Sequence, residues 1–413
     1  MRRSGTANLP LVGGGLPPWL YERMVRLAGP VVEAIVLNEG TAGFLSRLSD
    51  PYWFQSFGAV IGMDWNSSGV TTAVVRALRD ALNPRAHELG LYVCGGKGAA
   101  SRLTPKQLVD VGMRTGLDGD RLARVSRLTA KVDNTAVQDG FGIYLHGFVV
   151  SAAGEWSVVQ QGMAASTGRA RRYHWHSASV RSFTSDPHAA VTGHNQGQLI
   201  NLVAAEAGAT QAAILELARQ RPDELFRDIP RMQLPTYCAI RHTDADLRRL
   251  GAVMALVQDA GTEDFAGLLL TEGLGPKTLR SLALVSEVVH GTPARFRDPA
   301  RFAFAHGSKN GQSVPVLTKV YDEATATLRT AVEQARIGEP DRLRALNKLH
   351  ERSVAAERDF TVVPAAEQEA AFAKLLAAER AEAAGFGGRI VERPGGRKAG
   401  GRSEAADGQL GLW

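Results

Sequence analysis

Cysteine is almost absent from this sequence, which has only Cys94 and Cys238 among its 413 residues. Two thiols exclude a disulfide scaffold and a zinc cluster held by cysteines, and they are typical of a reduced, cytoplasmic protein. No stretch reaches the roughly 18 uninterrupted apolar residues that a membrane helix needs, so we expect no membrane partner. The basic start is followed by no apolar run, which argues against a secretory signal.

A strong excess of one charge is also missing. Lys and Arg number 48 against 42 Asp and Glu, which gives a formal net charge of +6. Hydrophobic residues make up 44% and charged residues 22%, and this composition excludes collagen-like, coiled-coil and wholly disordered chains. The small positive excess is compatible with a polyanionic partner, although it does not identify one.

The hydrophobic pattern predicts an α+β fold. Helical spacing predicts helices over residues 19–28, 30–37 and 70–82, and β-branched or aromatic runs predict strands over 128–132, 141–150, 156–160 and 173–180. Two of these strands, 141–150 and 156–160, flank a turn and predict an antiparallel hairpin in which His146 shares a face with Tyr144 and Phe148. Residues 94–98 predict a Gly-rich turn.

These elements suggest a central antiparallel sheet flanked by helices, then an all-helical module and a disordered tail. We expect an α/β module with an active-site cluster over residues 1–196 and a helical module over 197–350. A helical extension over 351–384 and a disordered basic tail over 385–413 complete the predicted organisation.

One Gly-rich connection has a clear physical interpretation. An apolar segment runs into Gly273-Leu274-Gly275, and a second helix follows within residues 265–290. This pattern resembles the helix-hairpin-helix motif of DNA repair and replication proteins. Two glycines allow a phosphate to approach the backbone at the start of a helix, where the dipole favours an anion. The predicted DNA contacts are Gly273, Gly275, Lys277, Thr278 and Arg280. The alternative is a plain packing corner between two helices, in which Gly273 caps the C-terminus of the first helix and Pro276 starts the next one.

The last five residues carry a second short motif. Gln409-Leu410-Gly411-Leu412-Trp413 is similar to the bacterial sliding-clamp-binding pentapeptide. Leu410, Leu412 and Trp413 would enter an apolar groove, and Gln409 would bond at its rim. The alternative is coincidence, because five residues make a short match.

The central part of the chain concentrates histidines and carboxylates. Such side chains suit Mg²⁺ or Mn²⁺ for phosphodiester cleavage, or Zn²⁺ if the histidines dominate. His174 and His176 would share one face of a strand, because side chains alternate with a period of two. The alternative is that individual histidines are satisfied core or surface residues.

These side chains form our candidate site. The predicted catalytic residues are Asp64, Asp133, Asp139 and His146. The predicted metal ligands are Asp133, Asp139, His174 and His176. The cations expected along a substrate path are Lys97, Arg171 and Arg172.

The first 320 residues also resemble an uncharacterised archaeal and bacterial family, domain of unknown function 763. The segments that carry the likeness include Met63-Asp64-Trp65, Cys94-Gly95-Gly96-Lys97-Gly98, Lys131-Val132-Asp133-Asn134, Gln138-Asp139-Gly140, Gln160-Gln161-Gly162-Met163, Ala170-Arg171-Arg172-Tyr173-His174-Trp175 and Glu272-Gly273-Leu274-Gly275-Pro276-Lys277-Thr278. The resemblance implies no activity.

Three functions fit the sequence. The first is a metal-dependent nuclease or related DNA-processing enzyme of replication and repair. The second is a non-catalytic DNA-binding adaptor that the sliding clamp recruits. The third is a metal-dependent hydrolase of small phosphorylated molecules. Convergence of Asp133, Asp139 and His174 in a cleft would favour the enzyme, and their separation would favour the adaptor.

Overall fold

The computed structural model describes residues 9–10, 16–63, 68–164, 169–193, 195–222, 244–300 and 318–359. The helices that precede the main strands, or lie between them, are α1 (Pro18–Leu48), α2 (Pro51–Val60), α3 (Ser68–Leu82), α4 (Ala86–Leu89), α5 (Ala99–Arg102), α6 (Thr104–Thr115) and α7 (Gly119–Lys131). The helices that follow them are α8 (Gly208–Arg219), α9 (Asp244–Asp259), α10 (Phe265–Leu270), α11 (Pro276–His290), α12 (Thr318–Gln334) and α13 (Glu339–Asp359).

The strands form two antiparallel sheets. They are β1 (Leu9–Pro10), β2 (Leu91–Lys97), β3 (Val137–Gln138), β4 (Gly142–Ser151), β5 (Trp156–Ala164), β6 (Arg169–His176), β7 (Ala190–Thr192), β8 (Gln198–Asn201) and β9 (Phe296–Arg297). The main sheet has the order β1-β6-β5-β4-β2, and β7 pairs with β6. The small sheet has the order β3-β8-β9. The structure therefore confirms an α+β fold with an antiparallel sheet flanked by helices.

Each face of the main sheet has its own apolar core. Phe148, Val158 and Trp175 belong to one core with residues of α6, α7, α8, α10 and α11, and we call this side the α7 face. Leu145 and Val159 belong to the other core with residues of α1, α2, α3, α12 and α13, and we call this side the α1 face. Because both faces are covered, polar side chains in the middle of these strands are buried and need internal partners.

Three described stretches differ from the sequence prediction in the first half of the chain. Residues 128–132 are not a strand, because Leu128 lies in α7 and Val132–Ala136 form one π-helical turn. The β-branched residues here lie on the buried side of a helix, so tertiary packing outweighs their local preference for strands. The two predicted helices over residues 19–37 are one helix, α1, which continues through Pro30 and breaks at Gly40 with φ 73°.

The predicted Gly-rich turn at residues 94–98 is largely the end of strand β2. Gly95 has φ 85° and pairs with Gly147, and a Cβ placed on it would lie 2.1 Å from the carbonyl oxygen of His146. The glycine is therefore required by a close backbone approach within the sheet.

The predicted module boundary near residue 196 runs through shared packing. Residues of α8, α10 and α11 share the core of the α7 face with strands β4 to β6. Helices α12 and α13 pack against α1 and α2 on the other face. Across the described ranges, no helix is both long enough and apolar enough to cross a bilayer.

Candidate functional site

The Gly-rich connection joins α10 to α11 through residues 271–275. Asp264 caps α10 by accepting a hydrogen bond from the Gly267 amide, and α11 begins at Pro276. Gly273 adopts the left-handed conformation with φ 77°, which allows the tight reversal. Leu274 is only 1% exposed and fills the space under the turn, as the sequence pattern predicts. We call residues 271–277 the hairpin.

The hairpin is fixed to the end of α7 and to strand β3. Lys131 Nζ donates a 2.6 Å hydrogen bond to the carbonyl oxygen of Leu274. Gln138 Nε2 donates to the carbonyl oxygen of Pro276 at 2.8 Å, and Gln138 Oε1 accepts from Arg280 Nε at 2.7 Å. These bonds hold the hairpin in one position relative to the sheet.

The outer side of the hairpin reaches solvent. Gly273, Lys277 and Arg280 are exposed, and Glu272 beside them is exposed as well. Gly275 is the residue before α11 and has no side chain to cap the helix, so the first-turn N–H groups receive no side-chain acceptor from it. Thr278 is only 5% exposed, so its hydroxyl does not lie on this outer surface.

Asp133 lies at the centre of a buried hydrogen-bond network on the α7 face. Its carboxylate accepts bonds from Gln160 Nε2 at 2.5 Å, Trp175 Nε1 at 2.9 Å and His188 Nε2 at 2.5 Å. Asp133 is fully buried, and that burial raises its pKa, while His188 opposes the shift. Three donors converge on this carboxylate, which satisfies it without a metal ion.

His146 extends this network to α7. Its Nδ1 lies 2.9 Å from Gln160 Oε1 and its Nε2 lies 2.8 Å from Ser126 Oγ. Since Gln160 donates to Asp133 through its amide nitrogen, its oxygen accepts, and His146 carries its proton on Nδ1. Burial lowers the pKa of His146 to about 4, so the imidazole is neutral at physiological pH. The chain of bonds runs from Ser126 to Asp133.

A second buried network surrounds Arg171. Its guanidinium bonds Asp139 at 2.8 Å and forms a two-bond pair with Asp298 at 2.9 and 2.8 Å. Asp139 also accepts from Tyr173 OH at 2.6 Å and from the Phe141 amide at 3.0 Å. Burial raises the pKa of Asp139, and the guanidinium opposes that shift. Two buried carboxylates bond Arg171, so its charge is used inside the protein.

The neighbouring strand residues point to the α1 face. Arg172 is fully buried, lies over the Phe54 ring at 4.6 Å and bonds Gln55 Oε1 at 3.2 Å. His174 Nδ1 lies 3.2 Å from the Leu48 carbonyl oxygen, and burial first, then Arg172, holds its pKa well below the usual value. His176 is half-buried, and burial lowers its pKa too.

The structure therefore separates the predicted metal ligands. Asp133 and Asp139 lie on the α7 face, whereas His174 lies on the α1 face with His176 two residues further along the strand. Within the described ranges, no group of three or more His, Cys, Asp and Glu side chains could hold a metal ion. Arg171 and Arg172 are buried, and of the three predicted path cations only Lys97 is exposed.

Two sets of predicted site residues lie outside the described ranges. They are Asp64 of the proposed catalytic group and the tail residues Gln409, Leu410, Leu412 and Trp413. Their roles stay predictions.

Residues 5–316 match a family that is described as a protein of unknown function, DUF763. The match covers more than half of the 413 residues. The chain belongs to the DUF763 family. No curated protein and no solved structure matches this DUF763 protein.

The sequence prediction missed several side chains that complete the two buried hydrogen-bond networks of this DUF763 protein. Gln160, Ser126, His188 and Asp298 were not in the predicted site, although each bonds a residue that was. One signal was available, because the pair Gln160-Gln161 lies within an otherwise apolar strand and buried amides require partners. Asp298 gave no such signal, since it lies 127 residues from Arg171 along the chain.

Proposed function

We propose that this DUF763 protein binds DNA through the hairpin and the first turns of α11. The observation that carries the proposal is the exposed outer side of the hairpin, where Gly273 and Lys277 lie next to the N-terminus of α11, and the residue at its cap position, Gly275, has no side chain. Arg280 adds an exposed cation one turn further along α11. A phosphate is the group that this combination suits best.

The physical basis is the helix start. Backbone N–H groups in the first turn of α11 point along the axis toward the N-terminus and have no carbonyl partner within the helix. The helix dipole also favours negative charge at that end. Glycine at the turn leaves room for a phosphate to approach the backbone. Exposed Glu272 opposes this attraction, so the nearby cations Lys277 and Arg280 are needed to offset it. Contacts of this kind are independent of base sequence and sensitive to salt.

The placement of the central carboxylates favours a binder over a nuclease. Asp133 and Asp139 are buried and accept bonds from protein donors, and His174 faces the other side of the sheet. A nuclease needs carboxylates that can reach a metal and a scissile phosphate. Among the hypotheses from sequence, the non-catalytic DNA-binding adaptor therefore has the better support.

Direct binding measurements test this proposal. Fluorescence anisotropy with a labelled DNA duplex and the matching single strand, between about 50 and 200 mM salt, should show affinity that falls with salt. Lys277→Glu should weaken binding at least several-fold without changing the melting temperature. Arg329→Glu is the matched control, because Arg329 is exposed on α12 at the other face of the sheet. Equal affinity of Lys277→Glu and the control would contradict the assignment.

The same DNA tests the nuclease alternative. Each probe is incubated with the full chain in Mg²⁺, Mn²⁺ or Zn²⁺ and then separated by size. Salt-sensitive binding without cleavage supports the binder. Metal-dependent cleavage that Asp133→Asn abolishes while the variant stays folded would overturn the binder proposal in favour of a nuclease.

Clamp recruitment is a further part of the adaptor proposal. It depends on residues 409–413 and on sequence alone. Deletion of these five residues should abolish co-purification with the sliding clamp while DNA binding is unchanged. Clamp binding that survives the deletion would refute it.

A further inference from the structure

Helix α7 exposes a set of arginines with no evident role in the fold. Arg121, Arg124 and Arg127 are all exposed, while the opposite side of the helix buries Leu122, Val125 and Leu128. Within the part of the chain that the structure describes, none of these three arginines forms an ion pair with a carboxylate. Even a paired charge on the surface contributes little to stability, so these three arginines add little to the stability of the fold.

The helical geometry arranges the cations toward the hairpin. With 3.6 residues per turn, Arg124, Arg127 and Lys131 fall within about 60° of one another around the helix axis. The rise of 1.5 Å per residue places the first and last of them about 10 Å apart along that axis. Lys131 follows these arginines on the same side of α7, and its ammonium group bonds the Leu274 carbonyl oxygen of the hairpin. We call Arg121, Arg124 and Arg127 the α7 row.

The acidic residues near the α7 row do not neutralise it. Asp118 caps α7, because its carboxylate accepts a bond from the Arg121 amide at 2.9 Å. Asp120 is exposed in the first turn, where it complements the helix dipole. Glu272 is exposed at the hairpin. Of these three carboxylates, Asp118 is thus used as a helix cap.

We propose that the α7 row is a second phosphate-binding surface that continues the nucleic-acid path beyond the hairpin. The partner is a nucleic acid, which the row contacts through its sugar-phosphate backbone. Arginine suits this task because its guanidinium stays charged and forms two parallel bonds with a phosphate. The inference rests on the proposed function and enlarges it, since it predicts a binding surface on both α7 and α11 rather than a single hairpin contact.

The test compares charge changes at two places on the full-length protein. One variant combines Arg124→Glu with Arg127→Glu. The matched control combines Arg329→Glu with Arg336→Glu, which changes the net charge equally at exposed positions on the α12 side of the molecule. Affinity for the labelled duplex is measured by anisotropy at several salt concentrations, and the melting temperature of each variant is recorded. Arg124→Gln with Arg127→Gln serves if the reversed charges impair folding.

The α7 variant should bind roughly 10- to 60-fold more weakly at 0.1 M salt, because two phosphate contacts are lost. The slope of log affinity against log salt should fall by about 1.8, because each lost phosphate contact removes about 0.9. The control pair should bind as the unmodified protein does. An α7 variant that binds DNA as tightly as the unmodified protein would overturn the inference. Equal weakening of both pairs would overturn it as well, because it would show an effect of net charge alone.

The outcomes also separate this inference from the proposed function. Weak binding by Lys277→Glu together with full binding by the α7 variant would overturn the second surface and retain the hairpin. Full binding by both would overturn both. Vesicles that contain phosphatidylserine are measured in parallel. If the row were needed for vesicle binding and not for DNA binding, an anionic membrane would replace the nucleic acid and the inference would be wrong.

Discussion

Lys131 and Asp133 lie two residues apart, where α7 passes into the π-helical turn, and their side chains bond different parts of the protein. The Lys131 ammonium group bonds the hairpin carbonyl at Leu274, whereas the Asp133 carboxylate receives Gln160, Trp175 and His188 inside the protein. One short segment therefore joins a buried polar network to an exposed connection between two helices. Single π-helical turns are found frequently at functional sites, and here the turn connects the two features.

Replacement of Lys131 by Met should loosen the hairpin. The change removes a charged hydrogen bond to the Leu274 carbonyl oxygen and should lower the free energy of unfolding by about 1–2 kcal/mol. The rate of amide hydrogen exchange should also increase more at residues 271–277 than at other residues. Lys106→Met is the control, because Lys106 is exposed on α6. Unchanged exchange at the hairpin would show that other contacts hold it.

Replacement of Arg171 by Met should be strongly destabilising. The substitution leaves Asp139 and Asp298 buried without their shared cation, and loss of one partner of a buried ion pair costs about 3–5 kcal/mol. Arg171→Lys keeps the charge but loses the two-bond geometry, so it should fall between Met and the native residue. Urea denaturation measures both variants. A loss below about 1 kcal/mol for Arg171→Met would contradict the importance of this network.

Acid should destabilise the protein through His146. Its pKa is about 4 when folded and about 6.5 when unfolded, so between these values the unfolded chain binds more protons and stability falls as pH falls. This residue alone should remove about 2 kcal/mol between pH 7.5 and 5. The raised pKa values of Asp133 and Asp139 act in the opposite direction.

The contribution of His146 can be isolated by comparing the native protein with His146→Asn. Urea denaturation at pH 7.5 and 5 gives the loss of unfolding free energy for each protein. The loss should be about 2 kcal/mol smaller in the variant. Equal losses would mean that the imidazole takes up a proton in the folded state.

Substitution of two glycines by alanine should separate strain from steric overlap. Gly95 and Gly98 both have positive φ, at 85° and 61°, so alanine is strained at either position. Only at Gly95 does the added Cβ overlap other atoms, because it meets the His146 carbonyl oxygen. Gly95→Ala should therefore cost about 1–3 kcal/mol more than Gly98→Ala in urea denaturation. Equal costs would mean that the backbone of β2 moves aside easily.

The sequence predicted the part of the fold that depends on local patterns. The antiparallel pairing of β4 with β5 follows from the alternation of apolar and polar residues on each side of Ala153 and Gly154. Val150 does pair with Trp156. The same alternation placed Tyr144 with His146, and this was wrong. A register shift between Ile143 and Leu145 turns Tyr144 to the α1 face, where its hydroxyl bonds Gln161. A bulge of one residue has no clear mark in the sequence.

The candidate site was harder to predict because it depends on the two sides of a sheet. The spacing of His174 and His176 correctly indicates one strand face, but it does not indicate on which side Asp133 approaches. Asp133 belongs to a turn after α7, and its partner His188 lies 55 residues away along the chain. Such pairs are fixed by tertiary packing, so a single sequence reveals the residue types and not their grouping.

The packing of α12 and α13 has a consequence for the order in which the protein can fold during synthesis. These helices bring Leu328, Val332 and Leu349 to the same core as Trp53 and Phe57 of α2. Since the ribosome delivers α2 almost 300 residues before α13, the apolar surface of the N-terminal helices stays without this cover for most of translation. A fragment that stops at residue 316, where the family match stops, would keep that surface uncovered and should associate or require a chaperone.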